Sequence, residues 1–218
     1  MEEFKIYQTR RRFKQIISSL ALFIILIFGW RYPALGFFIP LCMFAGVWMA
    51  FKRGRKWCDW YCPRGSFYDV WVSNISPKKD IPELFRKPFF RLGVTALLFA
   101  VVSLNLFLFW PDFSRIGLSF VVMATVTTVI GVVLAFFFHQ RSWCMVCPVG
   151  TVSSLVGGNK LPLKISPLCL KCKQCFKVCP IAIRPYAFKS ANVERVKDPE
   201  CLKCDLCVSI CPKKALYR

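Results

Sequence analysis

Cysteines in the last quarter of the chain fall into two runs of one form, Cys169-x2-Cys172-x2-Cys175-x3-Cys179-Pro180 and Cys201-x2-Cys204-x2-Cys207-x3-Cys211-Pro212. Thiolates are soft ligands, and at this spacing they suit iron–sulfur clusters or zinc. Two intervening residues let the chain curl round a cluster so that successive sulfurs meet different metal atoms. Three residues and a proline then turn it away. Zinc sites also use Cys-x2-Cys, but they pair their cysteines two and two rather than in a longer run closed by Cys-Pro. A second pair of motifs lies upstream. Arg55-Lys56-Trp57-Cys58-Asp59-Trp60-Tyr61-Cys62-Pro63-Arg64-Gly65 is echoed by Gln140-Arg141-Ser142-Trp143-Cys144-Met145-Val146-Cys147-Pro148-Val149-Gly150. Each reads Trp-Cys, then Cys-Pro-x-Gly. An oxidised secreted protein would use its 13 cysteines for disulfides, but tight spacing beside membrane-like segments argues for reduced thiolates that hold metal.

The elements that must position these motifs are apolar. The chain is 56% hydrophobic with 22 Phe, more than a soluble domain usually carries. Four uncharged stretches approach the roughly 20 residues that cross a bilayer as a helix: Ile16 to Trp30, Pro33 to Phe51, Leu92 to Trp110 and Ile116 to Phe138. Lys14 is expected to snorkel its ammonium to the headgroups at the start of the first. A cleaved signal peptide is a poor reading of that stretch, because no small-x-small site follows it. Of 31 Lys and Arg, only Arg31 and Arg115 fall on one side of these spans. The positive-inside rule therefore puts both termini, the loop from Lys52 to Arg91 and the cysteine-rich tail in the cytoplasm of a multi-pass protein of a prokaryotic inner membrane. The net charge of +20 is thus a topology signal and an attraction to anionic membrane lipid, not a nucleic-acid footprint.

The repeats organise the chain. Each half of the membrane portion is a helical hairpin followed by a Trp-Cys…Cys-Pro loop, which suggests duplication of one unit. The expected fold is mainly α: a four-helix transmembrane bundle of two repeated hairpins over residues 1–158, then a cytoplasmic α+β domain over residues 159–218 that carries the tail cysteines. Matching loops should bring Cys58, Cys62, Cys144 and Cys147 together as a third metal centre, iron–sulfur ahead of zinc; four free thiols are the alternative. Cys42, alone in an apolar helix, reads as a small buried hydrophobe. His139, the only histidine, ends the fourth span; it is an interfacial residue or, less simply, a contact for a quinone headgroup. Asn105, Thr125, Thr127 and Thr128 should bond across helices. No phosphate loop, Gly-x-Gly-x-x-Gly or Ser-His-Asp set is present, so nucleotide and hydrolytic chemistry lack support.

Residues 167–217 resemble the bacterial two-cluster ferredoxins, in which three cysteines hold one cubane and the fourth reaches across to the other. That resemblance implies a ferredoxin-like domain with two 4Fe-4S clusters, one on Cys169, Cys172, Cys175 and Cys211, the other on Cys201, Cys204, Cys207 and Cys179. Nearly the whole chain resembles the membrane polyferredoxins of the NapH and NosR type, described by four or more helices, two Cys-x3-Cys-Pro motifs and a ferredoxin tail. Cys58 to Pro63 matches that motif, whereas Cys144 to Pro148 has two intervening residues. The resemblance implies an electron-transfer subunit, a component of a quinol-linked oxidoreductase, that relays single electrons between a quinone pool or membrane partner and a redox protein or complex subunits. A metal reductase or metallocofactor maturation factor is the alternative.

Overall fold

The computed structural model describes residues 2–218 and is mostly helical. Helix α1 (Glu2–Phe28) turns through residues 29–32 and a 3-10 segment (Pro33–Phe37) into α2 (Phe38–Arg53). The first cysteine loop follows as two short helices, α3 (Lys56–Trp60) and α4 (Pro63–Phe67), extended by a π-helical turn at Tyr68–Val72. A connector with a 3-10 turn at Glu83–Arg86 leads to α5 (Pro88–Phe109) and α6 (Phe113–Phe137). The second cysteine loop is again two helices, α7 (Ser142–Val146) and α8 (Pro148–Gly157). Each loop bends where a Pro sits at the first helical position, a place that suits its fixed φ and missing N–H.

Three helical segments are long and apolar enough to cross a membrane: Pro33–Arg53, Pro88–Phe109 and Phe113–Phe137. Their large side chains, among them Phe44, Trp48, Leu97, Phe107 and Phe136, face outward, as a lipid-facing surface requires. The first expected span differs. It is the end of the much longer α1, and its uncharged part from Ile16 to Phe28 rises about 20 Å, short of the roughly 30 Å of a hydrocarbon core. Helix α1 is nevertheless inside-out: it buries Arg11, Gln15 and Ser19 on one face while Ile17, Leu20, Ile24 and Ile27 are exposed. The Lys14 Nζ lies over the Trp60 ring, 5.2 Å from its centroid.

Two smaller expectations also change. The hydroxyls of Thr125, Thr127 and Thr128 donate to carbonyls within α6, at Val121, Met123 and Ala124, and Asn105 donates to Val101 in its own helix. Back-bonding of this kind satisfies a polar group in lipid without a neighbouring helix. Cys42 is half-buried rather than buried, because α2 turns much of that face outward.

The tail is compact and irregular. Its sheet has three two-residue strands in the order β2-β1-β3, all antiparallel: β1 (Lys164–Ile165) pairs Ile165 with Glu194 of β2 (Glu194–Arg195) and with Leu216 of β3 (Leu216–Tyr217). Single-turn helices α9 (Gln174–Lys177) and α10 (Leu206–Ser209) carry the third cysteine of each run, Cys175 and Cys207. Leu163, Ile165, Ile181, Ile183, Val196, Leu202 and Leu216 form the tail's core, and Cys58 of the first cysteine loop is packed into the same cluster. The tail therefore closes its core on the loop end of the helices.

Candidate metal centres

Backbone conformation in the tail repeats with the cysteines. Lys171 and Lys203 have φ of 52° and 57°, Lys173 and Asp205 have 63° and 59°, and Ala182 and Lys214 have 54° and 47°. Left-handed conformation at non-glycine residues is uncommon and persists where surrounding structure imposes it. Here it curls each Cys-x2-Cys-x2-Cys run into a cup. Backbone N–H groups then point at sulfur: Ile183 N–H donates to Cys179 Sγ and Ala215 N–H to Cys211 Sγ, both at 3.3 Å, and Lys171 N–H donates to Cys169 Sγ at 3.4 Å.

The two runs exchange their fourth cysteines. Cys169, Cys172, Cys175 and Cys211 line one partly open cleft, with Ile165, Tyr186 and Leu216 as apolar walls. Cys179 lies instead within electrostatic range of Cys201, Cys204 and Cys207. Burial pushes Cys179 up to about 12 and raises Cys204 and Cys207 as well, which is the cost of enclosing thiols that only a cationic partner can keep ionised. Among the described residues, no three Cys, His, Asp or Glu side chains close on a single-ion site. One tetrahedral zinc would need its sulfurs within about 4 Å of each other. A donor set of soft thiols, spread round a cleft and met by backbone N–H groups, fits a polynuclear iron–sulfur cluster.

The upstream cysteines also meet. Cys62 is pushed up to about 12 by burial first, then by the proximity of Cys58, Cys144 and Cys147, so the four thiols share one locality. It is organised by a pseudo-twofold exchange. Arg55 Nη2 donates to the carbonyl of Cys144 at 2.8 Å, and Arg141 Nη1 donates to the carbonyl of Cys58 at 2.9 Å. Both arginines are fully buried. Arg141 Nη1 also lies 3.6 Å from Cys144 Sγ. Burial raises the Cys58 and Cys144 thiols, and the guanidiniums oppose it, chiefly Arg55 at Cys58 and Arg141 at Cys144.

Sequence reasoning did not anticipate the charges that support this locality. Arg141 holds Asp69 through two hydrogen bonds of 2.8 and 2.7 Å, and Arg11 holds Asp59 through two of 2.8 and 2.6 Å while reaching Asp69 at 2.6 Å. Burial alone would raise the Asp69 carboxyl, but Arg141 and then Arg11 hold it well below the usual carboxylate range. Gln15 completes the set by donating to Asp69 and to the Asp59 carbonyl. On the other side Glu200, next to Cys201, pairs with both Arg55 and Arg91. One signal was legible, since an arginine stands at the same distance before Cys58 and Cys144. His139 is buried, its pKa lowered to about 4 chiefly by that burial, and its Nδ1 accepts the Arg141 N–H at 3.3 Å.

Comparisons with known proteins cover both cysteine-rich regions. A family model described as a 4Fe-4S binding domain matches residues 35–82 and 121–166, one segment for each upstream cysteine loop. A second, described as a 4Fe-4S dicluster domain, matches residues 161–212. The matches support an iron–sulfur protein. An uncharacterized protein of Methanocaldococcus jannaschii is 28% identical over 142 residues, covering 62% of this chain and 55% of the relative, so the chain spans about half of that relative's length. No solved structure matches.

Proposed function

We propose that this chain is a membrane-bound electron-transfer subunit. It relays single electrons through 4Fe-4S clusters between a quinone pool or membrane partner on one side and a redox protein on the other. The observation that carries this reading is the exchange of Cys211 and Cys179 between the two tail runs, because crossed-over ligands hold two clusters close enough to pass an electron. In this reading Cys169, Cys172, Cys175 and Cys211 hold one cluster and Cys179, Cys201, Cys204 and Cys207 the other. Cys58, Cys62, Cys144 and Cys147 hold a third centre. When bound, each cluster supplies a one-electron couple. The family match to both loop segments favours iron–sulfur over zinc at the third site.

The chain's own residues give that relay an order. Cys58 packs into the tail core, Glu200 beside Cys201 is paired with Arg55, and Arg55 bonds the Cys144 carbonyl. Residues 179–207 are thus the proximal set and residues 169–175 with Cys211 the distal one. Helix α1 is taken as a fourth membrane helix, with the bilayer met by its apolar second half, and the loops and tail as cytoplasmic.

The test is reduction of the clusters in proteoliposomes. Addition of a quinol should change the cluster EPR or visible spectrum. Metal-ion-dependent reoxidation without any response to quinol would favour a metal reductase or maturation factor instead.

A further inference from the structure

The two cysteine runs share a longer identity than their ligands require: Cys169-Leu170-Lys171-Cys172 and Cys201-Leu202-Lys203-Cys204. Their surroundings are opposite. In the second copy Leu202 is 2% exposed and Lys203 is 3% exposed, its Nζ 3.2 Å from the carbonyl of Gly158 in the membrane half. The following turn is also covered, because Asp205 is paired with Arg218 and Leu206 is buried. Tyr7 of α1 donates to the Cys204 carbonyl at 2.8 Å. In the first copy Leu170 is 66% exposed, Leu168 is 67% exposed, and Lys171, Cys172 and Lys173 are all exposed. Among the described residues, no hydrogen bond or ion pair joins residues 166–178 to the membrane half.

Charge around the exposed copy has one sign. Lys171, Lys173, Lys177, Lys213 and Lys214 are exposed there, with no Asp or Glu in residues 166–178 or 208–218. Three of the tail's four acids are paired elsewhere, Glu200 with Arg55 and Arg91, Asp205 with Arg218, and Asp198 with Arg86, and the fourth, Glu194, accepts from the Ser190 hydroxyl. Exposed Leu170, which lines the thiol cleft together with Lys173 and Lys213, and its exposed neighbour Leu168 make an apolar centre with a basic rim. A second copy of this strongly basic chain would be repelled by it.

We propose that the face around Leu168, Leu170, Lys171, Lys173 and Lys213 is the docking surface for a soluble, acidic one-electron redox protein. The partner covers this copy of Cys-Leu-Lys-Cys, whose counterpart is met by the membrane half at Lys203 and at the Cys204 carbonyl. This rests on the electron-transfer reading and adds to it the place and the charge of the soluble partner. Lysines at the rim would steer an acidic partner and make association salt-dependent, while the leucines would exclude water beside Cys172.

The experiment uses the full chain, with its metal loaded, in phosphatidylcholine nanodiscs, and an acidic flavodoxin as probe. Binding is measured by calorimetry at about 20 and 200 mM salt, where screening of exposed charges differs strongly. Iron content and EPR of every variant are recorded first. The triple variant K171E/K173E/K213E should bind at least about tenfold more weakly at low salt, and Leu170→Ser should weaken binding at both salts. A control, K160E/K197E, reverses exposed lysines elsewhere and should bind as the parent does. Equal binding by triple variant and parent, equal weakening by the control, or no flavodoxin binding by the parent would overturn the proposal. So would loss of affinity for phosphatidylglycerol vesicles alone, which would assign the lysines to lipid. Variants that retain iron and EPR signals yet bind normally refute docking while leaving the electron-transfer reading intact; a parent without iron refutes that reading itself.

Discussion

Arg55 and Arg141 occupy the same place in the two loop repeats, and each reaches across to the other repeat's cysteine, bonding the Cys144 and Cys58 carbonyls at 2.8 and 2.9 Å. The exchange clamps both loops together. It also places two buried positive charges beside four thiols, where they would partly offset the negative charge of thiolates if the proposed third centre is bound.

Removing either arginine takes a charged partner from a buried carboxylate, Glu200 for Arg55 and Asp69 for Arg141. Arg141→Gln leaves Asp69 without its two-point partner and should destabilise the folded chain by about 3–5 kcal/mol, the usual cost of breaking a buried pair. Arg141→Lys keeps the charge but not the fork, so it should recover only part of that loss. Thermal unfolding in detergent, followed by helical circular dichroism, checks both. Unchanged melting of Arg141→Gln would show that the clamp does not support the fold.

The glycines of the two Cys-Pro-x-Gly turns have matching reasons to lack a side chain. A Cβ on Gly65 would lie 2.5 Å from Arg141 Nη1 and 2.6 Å from the Cys58 carbonyl; on Gly150 it would lie 2.6 Å from the Cys144 carbonyl and 2.8 Å from Arg55 Nη2. Backbone carbonyls cannot swing aside. Gly65→Ala and Gly150→Ala should therefore each lose metal from the loop site while the tail's EPR signals persist. An alanine variant with the full metal content would mean that the turns have slack that these distances exclude.

Glu200 ties the tail to the helices. Glu200→Gln leaves Arg55 and Arg91 without their shared carboxylate, and we expect about 3–5 kcal/mol less stability at that junction. Limited proteolysis reads this directly: the linker at residues 157–161 should be cut markedly faster in the variant. Identical cleavage rates would show that Leu202 and Cys58 alone hold the tail in place.

Much of this arrangement was legible in the sequence, and the remainder has identifiable causes. Apolar runs marked α2, α5 and α6 because lipid-facing helices carry their signal in composition. At the start of α1, Arg11 and Gln15 resemble a solvated approach to the apolar run, whereas with Ser19 they form its buried face. Its partners Asp59 and Asp69 are more than forty residues away, a pairing no local pattern reveals. Spacing gave the two tail runs, but which copy of Cys-Leu-Lys-Cys is covered depends on docking to Gly158 and Tyr7, which spacing cannot express. The Thr125–Thr128 hydroxyls looked available to neighbours, yet the carbonyls of their own helix were nearer.

Membrane topology follows from the charge distribution. Reporter fusions after Trp30 and after Trp110 should both register the non-cytoplasmic side, because only Arg31 and Arg115 flank those turns. A cytoplasmic signal after Trp30 would leave α1 lying along the inner surface, in keeping with its short apolar half. A cytoplasmic signal after Trp110 would reject the orientation altogether.

The most direct test is the metal and sulfide content of the anaerobically purified full chain beside its Cys58→Ser/Cys144→Ser variant. Two cubanes in the tail require at least about eight irons and eight acid-labile sulfides per chain, and a third cubane at the loops raises each to about twelve. We predict about twelve in the parent and about eight in the variant, with the tail's EPR signals retained. Zinc without acid-labile sulfide, or fewer than about eight irons in fully loaded protein, would contradict the assignment of the tail cysteines to two 4Fe-4S clusters.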